Sequence, residues 1–143
     1  MNEYKMMLGL RFVMAFTFLW AFVDKLFGWG FATTSAQAWI NGGSPTSGFL
    51  ANATTGPLAP MFKAMAGVAV VDWLFMLGLL GIGLTLALNK YVRWGSIAGM
   101  VMMALMYLSL LLPKNNPIID EHIVYILVFA LMYFKAPHIE RSS

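Results

Sequence analysis

Residues 70–88 read VVDWLFMLGLLGIGLTLAL, and only Asn89 and Lys90 separate them from a second apolar run that continues to residue 112. As a helix, that first stretch rises about 28 Å at 1.5 Å per residue, close to the roughly 30 Å hydrocarbon core of a bilayer. So short a connection forces the two runs into an antiparallel helical hairpin. Working outward, the same test finds one apolar run before this pair and one after it, so that helices are predicted at about 6–27, 62–88, 91–112 and 118–135. Pro113 and Pro117 bracket the last connection, which makes Asn116 a predicted N-cap with Pro117 at the first helical position. The fold class is therefore an all-α integral membrane protein, a four-transmembrane-helix bundle in a single domain over residues 1–143.

Composition agrees. Of 143 residues, 60% are hydrophobic and 10% charged, against about a quarter charged in soluble domains. The net charge of +3 comes from nine basic and six acidic groups scattered in ones and twos, without the dense basic run that nucleic-acid binding needs. The absence of cysteine excludes disulfides, thiolate chemistry, iron–sulfur ligation and persulfide intermediates within the chain. Ala36-Gln37-Ala38 has the small-residue spacing of a signal-peptidase site but lies too far beyond the first apolar run. That run is therefore expected to be a retained helix.

Lys5, Arg11, Lys90, Arg93, Lys135 and Arg141 fall on one side of this topology, and Lys25, Lys63 and Lys114 on the other. The positive-inside rule then places both termini in the cytoplasm and the long connection between helices 1 and 2 outside. From Leu26 to Phe62 that connection holds no charged residue, yet it carries Phe27, Trp29, Phe31, Trp39, Phe49 and Phe62. It is expected to fold down onto the bundle. Two readings stay open for it, a functional lid and an interfacial aromatic belt. Gly95 and Gly99 form a GxxxG pair and Gly78, Gly81 and Gly83 stud the second helix, marking places for close helix approach. The twelve methionines read as pliable packing groups.

Ionisable groups inside a membrane are costly, so each needs an account. Arg11 sits near the cytoplasmic end, where it can snorkel or serve a site. Asp24 and Lys25 stand near the outer end of the first helix. Asp72 is predicted about ten residues into the second helix, roughly 15 Å from its outer end, and needs a partner from another helix. Arg11, Lys25 and His122 are the candidates. In NNPIIDEHIVY (115–125), Asp120 and Glu121 suit the first turn of a helix through its dipole. His122 is not explained that way, since histidine in general titrates near pH 6.5 and moves protons. Glu121 and Tyr125 share a face, so acid, imidazole and phenol are expected to converge at one mouth of the bundle.

Such a cluster under an aromatic loop suits a flat apolar ring whose oxygens take up protons, as in quinone reduction. It does not suit metal catalysis, for want of ligand spacing. His122 and His138 lie about 24 Å apart along one helix and cannot clamp a haem within one chain. No nucleotide, flavin or haem motif is present. No haem, flavin or metal is therefore expected in the chain, and electrons must come from a partner or from the substrate.

FLWAFVDKLFGWG, AWINGGSPTSGFL, VVDWLFMLGLLGIGLTLAL and NNPIIDEHIVY resemble the DoxX/DoxD family of four-helix membrane proteins, the DoxD branch most closely, over about Arg11 to Tyr133. DoxD is the large membrane subunit of archaeal thiosulfate:quinone oxidoreductase and pairs with a small DoxA subunit. The resemblance implies a multi-pass protein of a prokaryotic cell membrane, quinone as substrate, and a small DoxA-like partner or a larger respiratory complex, with a homo-oligomer also open. It places Asp24, Lys25, Trp39, Asn41, Asp72, Asp120, Glu121 and His122 in a shared outer-face pattern. The expected site has His122 with Glu121 or Asp120 exchanging protons and Asp72 orienting the headgroup. Trp39 and Phe49 cover the headgroup, Tyr125 lies beside it, and Lys25 and Lys63 attract thiosulfate. A non-catalytic anchor subunit and a small transporter or proton path built on Asp72 are the rival readings.

Overall fold

The computed structural model describes residues 3–114 and 116–141, the last five as helical backbone only. The side chains of His138 and Arg141, used above in the haem and topology arguments, lie outside the described residues. The fold is all-helical, and among the described residues the only β feature is an isolated bridge between Thr55 and Leu110.

Four long helices, α1 (Glu3–Phe27), α4 (Ala69–Ala87), α5 (Val92–Ser109) and α6 (Glu121–Arg141), form a bundle. Two six-residue helices, α2 (Ser47–Asn52) and α3 (Ala59–Ala64), lie in the connection from α1 to α4. Helix α1 packs along α4 and α5 along α6, while α4 meets α5 over a shorter seam and α1 touches α6. Neighbours run antiparallel. Arg11 of α1 bonds to Asn89 just past the end of α4, Lys135 of α6 pairs with Glu3 of α1, and the Tyr107 hydroxyl of α5 donates to the Ile118 carbonyl at 2.5 Å.

Helices α1, α4 and α5 are long and apolar enough to cross a membrane. Helix α6, predicted as the fourth span, completes the bundle but is not among the three. Their outward faces stay apolar, with Phe12 at 71%, Leu74 at 67% and Val101 at 55% exposure. A helix apolar all round needs protein or lipid on every side. The core between the helices is filled by Met14, Phe18, Met76, Ile82, Met103, Phe129 and Met132, with the Phe18 and Phe129 rings edge-on at 5.4 Å.

The glycines act singly. A Cβ at Gly83 would strike Leu19 of α1, one at Gly95 would strike Thr85 of α4, and one at Gly99 the Phe129 ring of α6. Gly95 and Gly99 thus serve two different interfaces rather than one GxxxG seam.

Helix α1 starts three residues earlier than expected, α5 ends three earlier and α6 runs six further, and two helix starts change in ways that move candidate residues. The run expected as one helix over 62–88 is broken after α3: Gly67 takes φ +77° and Val68 is extended ahead of α4. Gly67 takes up a backbone conformation that residues bearing a Cβ avoid, and the span starts seven residues later than expected. At the fourth helix, the Asn116 Oδ1 accepts the N–H groups of Ile118 and Ile119 at 2.9 and 3.1 Å. Asn116 therefore caps a turn, and the helix begins at Glu121 behind Asp120.

Candidate functional site

Asp24 and Asp72 are both buried, at 1% and 6% exposure, and both hold the α1–α4 connection against the bundle. Asp24 lies in the last turn of α1. Its two carboxylate oxygens accept the N–H groups of Phe31 (3.2 Å) and Ala32 (2.8 Å), and its carbonyl accepts Gly28 N–H at 2.7 Å. Gly28, at φ +67°, turns the chain back so that these amides reach it. Asp72 lies in the first turn of α4, where a negative charge is favoured by the helix dipole. Its Oδ1 accepts the Ser44 hydroxyl (2.9 Å), the Thr46 N–H (3.1 Å) and the Thr46 hydroxyl (2.6 Å).

The expectation for Asp72 is thereby corrected. It sits at the end of its helix, not ten residues inside, because the break at Gly67 shortens the span. Its partners come from loop 44–46 rather than from Arg11, Lys25 or His122. A third stitch binds the loop further on, where Thr55 N–H donates to the Ser109 carbonyl at 2.9 Å.

Beneath the clamped loop a cavity of about 490 Å³ opens between α4 and α5. Phe49 and Phe62 of the loop cover it, Phe75 and Gly78 of α4 and Met102 and Met106 of α5 form its walls, and Lys25, Thr46 and Ser109 bring polar atoms to it. Gly78 faces the tip of Met102, so the wall opposite α5 has little side-chain bulk. Exposed Leu74, Val101 and Leu105 make the rim, which leaves the opening on the apolar flank of the bundle.

Lys25 is the one cation in this lining. Its Nζ donates to the Pro45 carbonyl at 3.3 Å and lies 5.8 Å from the centre of the Phe75 ring. Among the described residues it makes no ion pair within 4 Å; the neighbouring Asp24 carboxylate accepts the backbone amides of Phe31 and Ala32. An ammonium has three donors, so Lys25 keeps capacity for an acceptor inside the cavity. Thr46 and Ser109 spend their hydroxyl protons on Asp72 and on the Met106 carbonyl (2.7 Å) and can only accept.

His122 and Asp120 form a second polar group, at the loop-bearing end of α6. The His122 ring Nδ1 lies 2.8 Å from Asp120 Oδ2, and the His122 N–H donates to Asp120 Oδ1 at 3.0 Å. Asp120 thus caps α6 and orients the imidazole at once. His122 is buried, at 7% exposure.

The expected convergence of Asp72 with His122 is not found. Each is bound by a separate set of partners, α1 and α5 stand between their helices, and neither lines the cavity. Glu121 is exposed and Tyr125 packs against the core. Trp39 packs edge-on against Trp73 at 4.6 Å, outside the cavity lining. The Asn41 side chain donates to the Ser35 carbonyl at 2.8 Å and shapes the loop. Lys63 is exposed on α3.

Of the expected site residues the cavity therefore gathers Lys25 and Phe49. The sequence reading missed Thr46, Phe62, Phe75, Met102, Met106 and Ser109 as lining. Met102 and Met106, four apart on one helix face, are the signal that the sequence carries for this wall, one that packing methionines share. Among the described residues no three His, Asp or Glu side chains cluster closely enough to hold a metal ion. No family model matches this chain, nor does any curated protein or solved structure.

Proposed function

We propose that the chain is the membrane subunit of a quinone-linked oxidoreductase, similar to DoxD, and that the ring of a membrane quinone seats in the cavity between α4 and α5. The observation that carries this reading is the cavity itself, about 490 Å³ with aromatic and methionine walls and a single ammonium, Lys25, not paired with a carboxylate. Flat apolar ligands with a few acceptor oxygens favour such a lining. In this reading Lys25 donates a hydrogen bond to one ring oxygen, Phe49 and Phe62 cover the ring, and the prenyl tail leaves past Leu74 and Leu105 into lipid. The Asp120–His122 pair supplies protons from the loop-bearing end without touching the ring. Four spans with cytoplasmic termini in a prokaryotic cell membrane, thiosulfate or another reduced sulfur compound as donor, and a small DoxA-like partner complete the proposal.

The test is a titration of the purified protein with a short-chain quinone, following tryptophan fluorescence, beside thiosulfate-dependent quinone reduction with and without native membrane extract. Saturable binding that weakens in Lys25→Met is expected. Absence of saturable binding overturns the reading.

A second reading, a non-catalytic anchor in a larger redox assembly, is favoured by the absence of cysteine. It predicts that every redox centre co-purifying with the chain belongs to a partner. The proton-path reading finds no support in Asp72, whose carboxylate is engaged by three hydrogen bonds at the helix end.

A further inference from the structure

A second cavity, of about 650 Å³, lies at the opposite end of the bundle along α1. Lys5 and Arg11 line it together with Gly9, Phe12, Phe16 and Leu86. From Leu8 to Leu19, its outermost apolar lining residues on α1, the helix rises roughly 16 Å, about one leaflet of a hydrocarbon core. The cavity is therefore a trough, basic at one end and apolar along its length.

Two observations show that packing does not account for it. A Cβ placed on Gly9 meets nothing within 4 Å, so no neighbouring helix requires glycine there, although glycine inside a helix costs about 1 kcal/mol relative to alanine. Its effect is to leave the floor of the trough open. Arg11 spends a donor on Asn89, yet among the described residues neither Arg11 nor Lys5 pairs with a carboxylate, since Glu3 is taken by Lys135. A guanidinium has five donors, so Arg11 keeps donors for an anion at the trough.

The geometry points to an anionic phospholipid bound along α1, its phosphate between Lys5 and Arg11 and one acyl chain in the trough over Gly9. A zwitterionic lipid offers the same phosphate but brings a cation of its own beside Lys5 and Arg11, and a free anion would leave the apolar length empty. This inference rests on the membrane character of α1 and is independent of the quinone proposal, which concerns the other end of the molecule.

Native mass spectrometry of the full chain in non-ionic detergent, with equimolar phosphatidylglycerol and phosphatidylcholine, tests it. Phosphatidylglycerol is expected to be retained preferentially, and Lys5→Gln to cut that preference about fivefold, as one basic contact to an anionic headgroup implies. Gly9→Leu fills the trough where the backbone has room, and is expected to reduce retention of both lipids while leaving the melting temperature in lipid-free detergent no lower. Equal retention of the two lipids by the unmodified protein overturns the inference. So does full retention in Gly9→Leu, or displacement of phosphatidylglycerol by millimolar inorganic phosphate.

Discussion

The Oδ1 of Asp72 accepts both the N–H and the hydroxyl of Thr46, at 3.1 and 2.6 Å, across 26 residues of sequence. This contact, with its counterpart at Asp24, converts a long uncharged connection into a fixed cover. Hydrogen bonds to a buried charge are among the stronger ones, and removing one partner leaves the other groups unsatisfied. Asp72→Ala is expected to lower unfolding free energy in detergent by about 3 kcal/mol, and Asp72→Asn by about half as much because one acceptor oxygen stays. A double-mutant cycle with Thr46→Val should give a coupling of about 1 kcal/mol or more. A coupling near zero would show that the clamp contributes nothing.

Lys25 separates binding from folding. Its contacts are a long hydrogen bond to Pro45 and the face of Phe75, so Lys25→Met should change stability by less than about 1 kcal/mol. Losing a charged donor to a ligand oxygen is worth about 1.5–3 kcal/mol, roughly a ten- to hundredfold weaker quinone Kd. Unchanged affinity by fluorescence titration would remove Lys25 from the site.

Asp120 caps α6 and holds the His122 ring. Asp120→Ala is expected to cost about 1–2 kcal/mol in thermal unfolding, as for other N-cap deletions. His122→Ala should slow turnover while leaving quinone affinity within about twofold, since His122 does not line the cavity. A large loss of affinity in that variant would place the imidazole at the ring after all.

Ser96 is fully buried and its hydroxyl has no partner among the described residues. Such a group costs about 1–3 kcal/mol. Ser96→Ala is therefore expected to raise the melting temperature, and a fall would indicate a bound water there.

Gly99 and Gly81 make a matched pair. A Cβ at Gly99 runs into the Phe129 ring, whereas one at Gly81 meets nothing within 4 Å. Gly99→Ala should destabilise by about 1–3 kcal/mol through overpacking, with Phe129→Leu restoring part of it. Gly81→Ala should stabilise by up to about 1 kcal/mol. Equal effects at the two positions would show that α5 and α6 are not packed through Gly99.

The long helices follow from the hydrophobic pattern alone, because a run such as 70–88 leaves the backbone no partner but itself in an apolar solvent. The same pattern carries the hairpin at Asn89 and Lys90, and a loop bound for the bundle, since so many aromatics with no charge have no reason to stay in water. What the ionisable groups do depends on contacts between distant segments. The spacing of Asp72 within an apolar run reads as deep burial only if the helix is continuous, and the positive φ at Gly67 that ends it is invisible in a pattern of hydrophobicity. Asp72 and Asp24 are satisfied by loop amides and hydroxyls far away or turned back in the chain, which no periodicity reveals. The cavity likewise forms from residues at 25, 45–50, 62–65, 71–78 and 98–109. Packing of α4 against α5, with small Gly78 facing Met102, brings those positions together, and their separation in sequence carries no trace of it.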